Sequence, residues 1–162
     1  MKKIYSLCFV LLFLSLSLSA QETNSNAEKK QDPKAEVFES DISVNIDGKS
    51  IDLRAHAGTM ELKDENNKPI ALFGFTAYFK KNPEKNRPIV FAYNGGPGSS
   101  SYWLHLGIMG PRRVVVDDPN YNPAAPYELV NNEFSILDVA DVVMMDPVGT
   151  GLSVPIGEAT GK

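Results

Sequence analysis

The segment Asn94–Ser101 constrains this chain more than any other feature of its sequence. It reads Asn-Gly-Gly-Pro-Gly-Ser-Ser-Ser and directly follows the apolar run Ile89–Tyr93. Glycines supply backbone conformations that a side chain forbids, and Pro97 stiffens the turn between them. The next stretch, Tyr102–Met109, is apolar and stops at Gly110-Pro111, which is typical of a short helix. The N-terminal end of such a helix would place its positive dipole end at the glycine turn. The sequence therefore predicts a strand, a turn of bare amides that can bind an anion, and a helix.

The alternative for this segment is an ordinary tight turn between a strand and a helix. A second glycine-rich segment, Pro147–Gly151, favours the anion-binding interpretation because it also follows a buried-type apolar run.

Residues 1–20 have the layout of a secretory signal peptide. Two lysines precede the apolar core Ile4–Leu18, and small residues lead to Ala20, where we expect cleavage. An uncleaved membrane anchor is the weaker alternative, since the core is short and interrupted by serines. Cys8, the only cysteine, lies inside this segment, so the mature chain has no thiol and no disulfide. We expect an exported protein, periplasmic or extracellular.

The rest of the chain divides into a polar segment and one domain. Residues 21–36 have no aliphatic residue beyond alanine and predict a flexible segment, and residues 37–162 are long enough for one modest domain. The formal net charge is −4, and no basic run exceeds two residues. Nucleic acid is therefore an unexpected partner.

The first part of the domain has the pattern of an antiparallel meander. Apolar residues alternate on both sides of the turn Asp47-Gly48, at Ile42, Val44, Ile46, Ile51 and Leu53. This pattern predicts a β-hairpin. Thr59–Leu62 and Ile70–Phe79, joined by a polar link, predict a second antiparallel pair.

The second part has the pattern of an α/β protein. Pro88–Tyr93 and Asp141–Asp146 are near-continuous apolar runs, as in strands buried on both faces of a parallel sheet. Between them we expect a short strand at Arg112–Val116, a loop at Asp117–Pro126 and a helical turn within Asn131–Leu137. A right-handed βαβ unit after the meander accounts for this order.

Four segments resemble, in order and spacing, the N-terminal part of the serine carboxypeptidase family. They are His56–Thr59, Ile70–Phe79, Asn94–Ser101 and Asp146–Ser153. The resemblance implies a partial α/β-hydrolase fold, in which an antiparallel meander is followed by the first βαβ unit of a mostly parallel sheet. It also implies that Asn94 and the Gly95 N–H bind the C-terminal carboxylate of a peptide substrate. The Gly96 N–H would be one of two donors to the oxyanion, and no cofactor is implied.

The catalytic triad is missing from these 162 residues. No window fits Gly-x-Ser-x-Gly, and His56 and His105 precede any position that such a nucleophile could take. We interpret both histidines as structural, since they are too isolated for a metal site. The resemblance therefore predicts an inactive N-terminal fragment, whose strand Pro88–Tyr93 is a bare apolar edge.

Two departures from the family pattern leave alternatives open. Ser99 stands where many eukaryotic members have a disulfide-forming cysteine. Ile108 stands where well-known members have a glutamate that helps to hold the substrate carboxylate. An esterase or endopeptidase on the same fold therefore stays possible, whereas Asn94 and Val148 argue against a proline iminopeptidase.

Two further classes of protein fit the sequence less well. A non-catalytic, secreted β-rich binding module would fit the meander, although it would have no need of an oxyanion-type turn. A nucleotide-binding loop is excluded because Gly149-Thr150-Gly151 lacks the third glycine of that motif. The oligomeric state is left open by the sequence.

Overall fold

The computed structural model describes residues 33–116, 124–157 and 159. The predicted signal peptide, residues 21–32 of the polar segment and residues 117–123 of the predicted loop lie outside the described residues. The strands are β1 Val37–Ile46, β2 Lys49–Lys63, β3 Pro69–Lys80, β4 Ile89–Tyr93, β5 Arg112–Val114, β6 Leu129–Asn131, β7 Asp141–Met145 and β8 Val154–Pro155. Within the described residues, no helix is long and apolar enough to cross a membrane.

A mixed sheet dominates the described part of the chain. Its strand order is β1-β2-β3-β7-β4, and β8 pairs with β3. Pairing is antiparallel from β1 to β7 and parallel only between β7 and β4. This mixed sheet with few helices is compatible with part of an α/β fold. The prediction was the beginning of a mostly parallel sheet, whereas most strand pairs among the described residues are antiparallel.

The first hairpin is confirmed. β1 pairs with β2 in a register that places Val44 opposite Ile51 and Ile46 opposite Lys49. Asp47 and Gly48 have φ values of 48° and 75°, as a two-residue turn with left-handed central residues requires. The alternation buries one face of the hairpin in the core.

β2 is longer than predicted. The sequence suggested two strands separated near His56–Thr59, but Lys49–Lys63 is one strand that pairs with β1 on one side and β3 on the other. His56 lies in the middle of this strand, opposite both Glu39 and Ala77. Backbone hydrogen bonds to β1 and to β3 keep the strand continuous here, although glycine and alanine have only a weak preference for strands.

The strand at Ile89–Tyr93 exists, and within the described residues it is the bare apolar edge that the resemblance implied. The burial on both faces that its composition indicated is wrong. Ile89, Phe91 and Tyr93 are 49%, 63% and 68% exposed, whereas Ala92 is buried. The reason is position, since β4 lies at the end of the sheet order. The predicted strand β7 is confirmed, and Val142 and Met144 on one of its faces are fully buried between β3 and β4. Val143 and Met145 on its other face are only half-buried.

The two faces of the sheet differ in how they are covered. One face carries Leu53, Tyr78, Val142 and Met144, which form the core together with Leu137, and Leu104 and Met109 pack against this core. The opposite face is an open apolar surface lined by Met60, Phe73, Phe75, Phe79, Ile89, Phe91, Val143 and Met145. We call this second surface the open sheet face.

The predicted helix at Tyr102–Met109 is present in an irregular form. An α-helical turn, α1 (Tyr102–Leu104), continues into a π-helical turn at His105–Met109. Gly110 closes the turn, and its N–H donates to the His105 carbonyl oxygen at 3.0 Å. A Cβ at Gly110 would lie 2.1 Å from that oxygen, so glycine permits the closure.

Three further short elements lie outside the mixed sheet. β5 confirms the strand predicted at Arg112–Val116, and it pairs with β6, which was not predicted. The helical turn expected within Asn131–Leu137 is a 3-10 turn at Ile136–Asp138, with the Ser135 hydroxyl accepting from the Leu137 N–H.

Arg87 fixes the start of β7 from inside the protein. Its buried guanidinium donates to Asp141 Oδ1 at 2.8 Å and to the carbonyl oxygens of Leu137, Asp138 and Ala140. The Asp141 carboxylate also accepts from the Lys80 N–H at 2.9 Å. The buried ion pair is thus supported by further hydrogen bonds to both partners, as burial of both charges demands.

Candidate functional site

The predicted amide turn follows β4 and is open to solvent. Gly96 and Gly98 have φ values of 91° and 78°, which side chains rarely adopt. A Cβ built on Gly95, Gly96 or Gly98 would meet nothing within 4 Å. The N–H of Ser99 closes the turn by donating to the Gly96 carbonyl oxygen at 3.3 Å. Glycine is therefore needed for backbone conformation here, and the space in front of the turn is free.

Asn94 lies at the start of this turn and is half-buried. Its Nδ2 donates to the Ser99 hydroxyl oxygen. An amide nitrogen carries two N–H donors, so the contact with Ser99 leaves a second donor for another group. The structure thus brings the three predicted binding residues, Asn94, Gly95 and Gly96, together on one loop.

Asp146 joins the two glycine-rich segments, and sequence reasoning gave it no role. Its carboxylate is buried directly after β7. Oδ1 accepts from the Ser101 N–H at 2.8 Å and from the Ser101 hydroxyl at 2.7 Å, and Oδ2 accepts from the Leu152 N–H at 3.1 Å. The N-terminal end of the predicted helix therefore binds a carboxylate of the protein itself. An acidic residue between a buried strand and a glycine-rich turn was the available signal.

The glycines of the second segment have different surroundings. A Cβ on Gly151, which has φ of 52°, would lie 2.1 Å from Asp146 Oδ2, whereas one on Gly149, which has φ of 87°, would meet nothing within 4 Å. Gly151 thus leaves the room that the Asp146 carboxylate occupies.

Ser153 ties the same segment to the sheet. Its buried hydroxyl donates to the Asp146 carbonyl oxygen at 2.6 Å and accepts from the Gly74 N–H at 2.6 Å. The Asp146 N–H in turn donates to the Gly74 carbonyl oxygen at 3.0 Å. The backbone of Asp146 is therefore held by β3, and its side chain holds the amide turn.

The histidines occupy separate places. His105 Nε2 lies 2.7 Å from the Tyr78 hydroxyl oxygen. Burial lowers the pKa of His105, and the charge of Asp146 partly opposes that shift. His56 packs edge-on against Phe79, with its Nδ1 3.5 Å from Glu39 Oε1. Within the described residues, no three His, Cys, Asp or Glu side chains group as metal ligands would.

The Ile108 side chain, one of the two departures from the family pattern, is 60% exposed. It lies in the π-helical turn, and its carbonyl oxygen accepts from Asn132 Nδ2 at 2.8 Å.

This chain belongs to the serine carboxypeptidase family. The family model matches residues 45–160, which include both glycine-rich segments and the strands that carry them.

Individual relatives agree with this assignment. Over 113 residues, the chain is 37% identical to the pheromone-processing carboxypeptidase KEX1 of Clavispora lusitaniae, covering 69% of this chain and 16% of that protein. It is 31% identical over 134 residues to the carboxypeptidase Y homolog A of Aspergillus oryzae, covering 80% and 23%. A serine carboxypeptidase-like protein of Arabidopsis thaliana is 33% identical over 98 residues, covering 59% and 19%. The chain thus matches about a sixth to a quarter of the length of these relatives.

Proposed function

We propose that this chain supplies the N-terminal part of the catalytic domain of an exported serine carboxypeptidase, which releases C-terminal amino acids from peptides through an acyl-enzyme. The observation that carries the proposal is the open turn at Asn94–Gly96. Gly95 and Gly96 are exposed at the end of a sheet strand with open space at their Cα atoms, while a buried carboxylate holds the far end of the loop.

Each residue of the turn has a separate role in this proposal. The second Nδ2 donor of Asn94 and the Gly95 N–H bind the C-terminal carboxylate of the peptide. A neutral amide suits that role because it donates without bringing a competing charge. The Gly96 N–H stabilises the oxyanion that forms when a serine attacks the scissile carbonyl.

The nucleophile, its histidine base and the aspartate come from a segment outside these 162 residues, since the chain has no Gly-x-Ser-x-Gly. We use "the complete enzyme" for a polypeptide that joins this chain to such a segment. That segment is either encoded in frame after Lys162 or taken from a relative. Sequencing past the Lys162 codon and finding Gly-x-Ser-x-Gly would support the first form.

The roles are tested by the complete enzyme and its Asn94→Ala variant on one peptide, as the free acid and as the amide. Loss of a hydrogen bond to a charged group costs about 1.5–3 kcal/mol, so kcat/KM for the free acid should fall about 10- to 150-fold while the amide is much less affected. Equal losses on both substrates would remove Asn94 as a carboxylate anchor and, with the exposed Ile108, would favour an esterase or endopeptidase. A wild-type enzyme without peptidase activity would overturn the proposed function itself.

A further inference from the structure

We propose that Asp146 is a positioning residue for the reaction, because its carboxylate fixes the amide turn that receives the substrate. This inference rests on the proposed function and adds a residue to it. Asp146 itself is buried behind the turn and touches Ser101 and Leu152 rather than the space in front of Gly95 and Gly96.

The amide turn is attached to the sheet at both of its ends. At its start, Tyr93 is the last residue of β4 and lies opposite Met145 in the parallel ladder. At its end, two hydrogen bonds from Ser101 hold it to the side chain of Asp146, the residue that follows Met145. One end is therefore held by the backbone of the sheet. The other end is held to the sheet by one carboxylate, and it continues into α1, where the Ser101 carbonyl oxygen accepts from the His105 N–H at 3.0 Å.

That carboxylate has little freedom to move. The Asp146 backbone is hydrogen-bonded to Gly74 and Ser153, and its Oδ2 accepts from the Leu152 N–H. Gly151 leaves the space that Oδ2 fills, because any Cβ there would lie 2.1 Å away. A rigid series of contacts thus leads from β3 through Asp146 to Ser101 and the amide turn.

Rigid placement matters because an N–H group stabilises an oxyanion best when it already points at the position where the negative charge will develop. Small displacements of the reacting geometry lower rates steeply, by as much as about 100-fold for 1 Å. If Asp146 sets the position of the turn, loss of its carboxylate should slow acyl transfer for every substrate. Asn94→Ala, in contrast, should discriminate between free acids and amides.

Asp146→Asn in the complete enzyme tests this role, with Asp141→Asn as the matched control. Both residues are buried aspartates: Asp141 is the first residue of β7, and Asp146 directly follows its last residue. In Asp146→Asn, an NH₂ group replaces Oδ2 or Oδ1, so at least one N–H donor meets another donor instead of an acceptor. We expect kcat per active site, titrated with a serine-reactive phosphonate, to fall at least about tenfold on ester, amide and free-acid substrates.

Asp141→Asn should lower the melting temperature but leave kcat per titrated site within about twofold, because it disturbs the Arg87 pair and not the turn. An active wild type whose Asp146→Asn variant keeps its kcat per site would overturn the positioning role while leaving the proposed function intact. An equal loss of kcat in Asp141→Asn would also overturn it, since the effect would then be general destabilisation.

A second pair of variants keeps the test decisive if Asp146→Asn does not fold. Gly151→Ala forces the Asp146 carboxylate to shift, whereas Gly149→Ala places the same methyl group at positive φ in open space. The first should lower kcat per site about tenfold or more and the second should not. Similar kcat values in the two variants would contradict the proposal.

Discussion

The hydroxyl oxygen of Tyr78 lies 2.7 Å from Nε2 of His105 and so joins β3 to the π-helical turn behind the amide loop. Burial raises the pKa of Tyr78 to about 12, so the hydroxyl keeps its proton at physiological pH. It can donate that proton to Nε2 only while the imidazole is neutral. Burial also lowers the pKa of His105 from its ordinary value of 6.5, which favours the neutral form.

This pair predicts a pH-dependent stability. Because the folded pKa of His105 lies below 6.5, the unfolded chain takes up a proton at a higher pH than the folded chain. The contribution of His105 is therefore fully present above the unfolded pKa and is lost as pH falls towards the folded pKa. In the complete enzyme, the melting temperature of wild type relative to His105→Gln should drop between about pH 7 and about pH 5. A constant difference over that range would show that His105 does not titrate on unfolding.

Gly96 should matter for turnover as well as for stability. Alanine at a left-handed position costs about 1–2 kcal/mol, and relief of that strain would turn the Gly96 N–H away from the oxyanion. We expect Gly96→Ala to lower kcat about 10²- to 10³-fold on esters, amides and free acids alike.

Gly48→Ala is the control for that measurement. Gly48 has a φ of 75°, its added Cβ would also meet nothing within 4 Å, and it lies in the first hairpin. Its variant should show a similar loss of stability with unchanged kcat. If Gly96→Ala keeps wild-type kcat, the Gly96 N–H does not contact the oxyanion.

The sequence predicted the elements whose signals are local. Asp47-Gly48 between alternating apolar residues predicts the hairpin, and the apolar run at Asp141–Met145 predicts a strand. Both predictions hold because the local sequence pattern and the packing in the folded protein favour the same structure. The amide turn is predictable for the same reason, since closely spaced glycines mark a backbone that other residues rarely adopt.

The features that sequence reasoning missed depend on contacts between distant segments. Ile89–Tyr93 by itself has the composition of a buried strand, and its place at the sheet edge, where Phe91 is exposed, was implied only by the family resemblance. The short strand Leu129–Asn131 exists because Arg112–Val114 lies beside it. Asp146 was overlooked because its partner Ser101 is 45 residues away in the chain.

The 162-residue polypeptide expressed by itself should not act as a peptidase. It can offer part of an oxyanion site, whereas acyl-enzyme formation needs a serine activated by a histidine base. The measurement is release of C-terminal amino acids from blocked dipeptides, together with labelling by a serine-reactive phosphonate. Turnover above background, or labelling of Ser99, Ser100 or Ser101, would show that the nucleophile lies within these residues.

The same polypeptide should fold poorly and self-associate through its open sheet face. Phe91 is 63% exposed there, on an edge strand next to Val143 and Met145. Exposed apolar edge strands promote pairing between chains, and a charge on the edge opposes it. Phe91→Lys should therefore reduce the apparent mass measured by light scattering at a given concentration.

Phe38→Lys separates this effect from a general gain in solubility. Phe38 is 69% exposed, but it lies on β1 at the other edge of the sheet and outside the open sheet face. We expect this variant to associate like the wild type, because the added charge is far from the surface that drives association. Equal rescue by both substitutions would point to net charge as the cause. A monodisperse wild-type monomer with one cooperative melt would show that the open sheet face is tolerated in water and would favour a self-standing binding module.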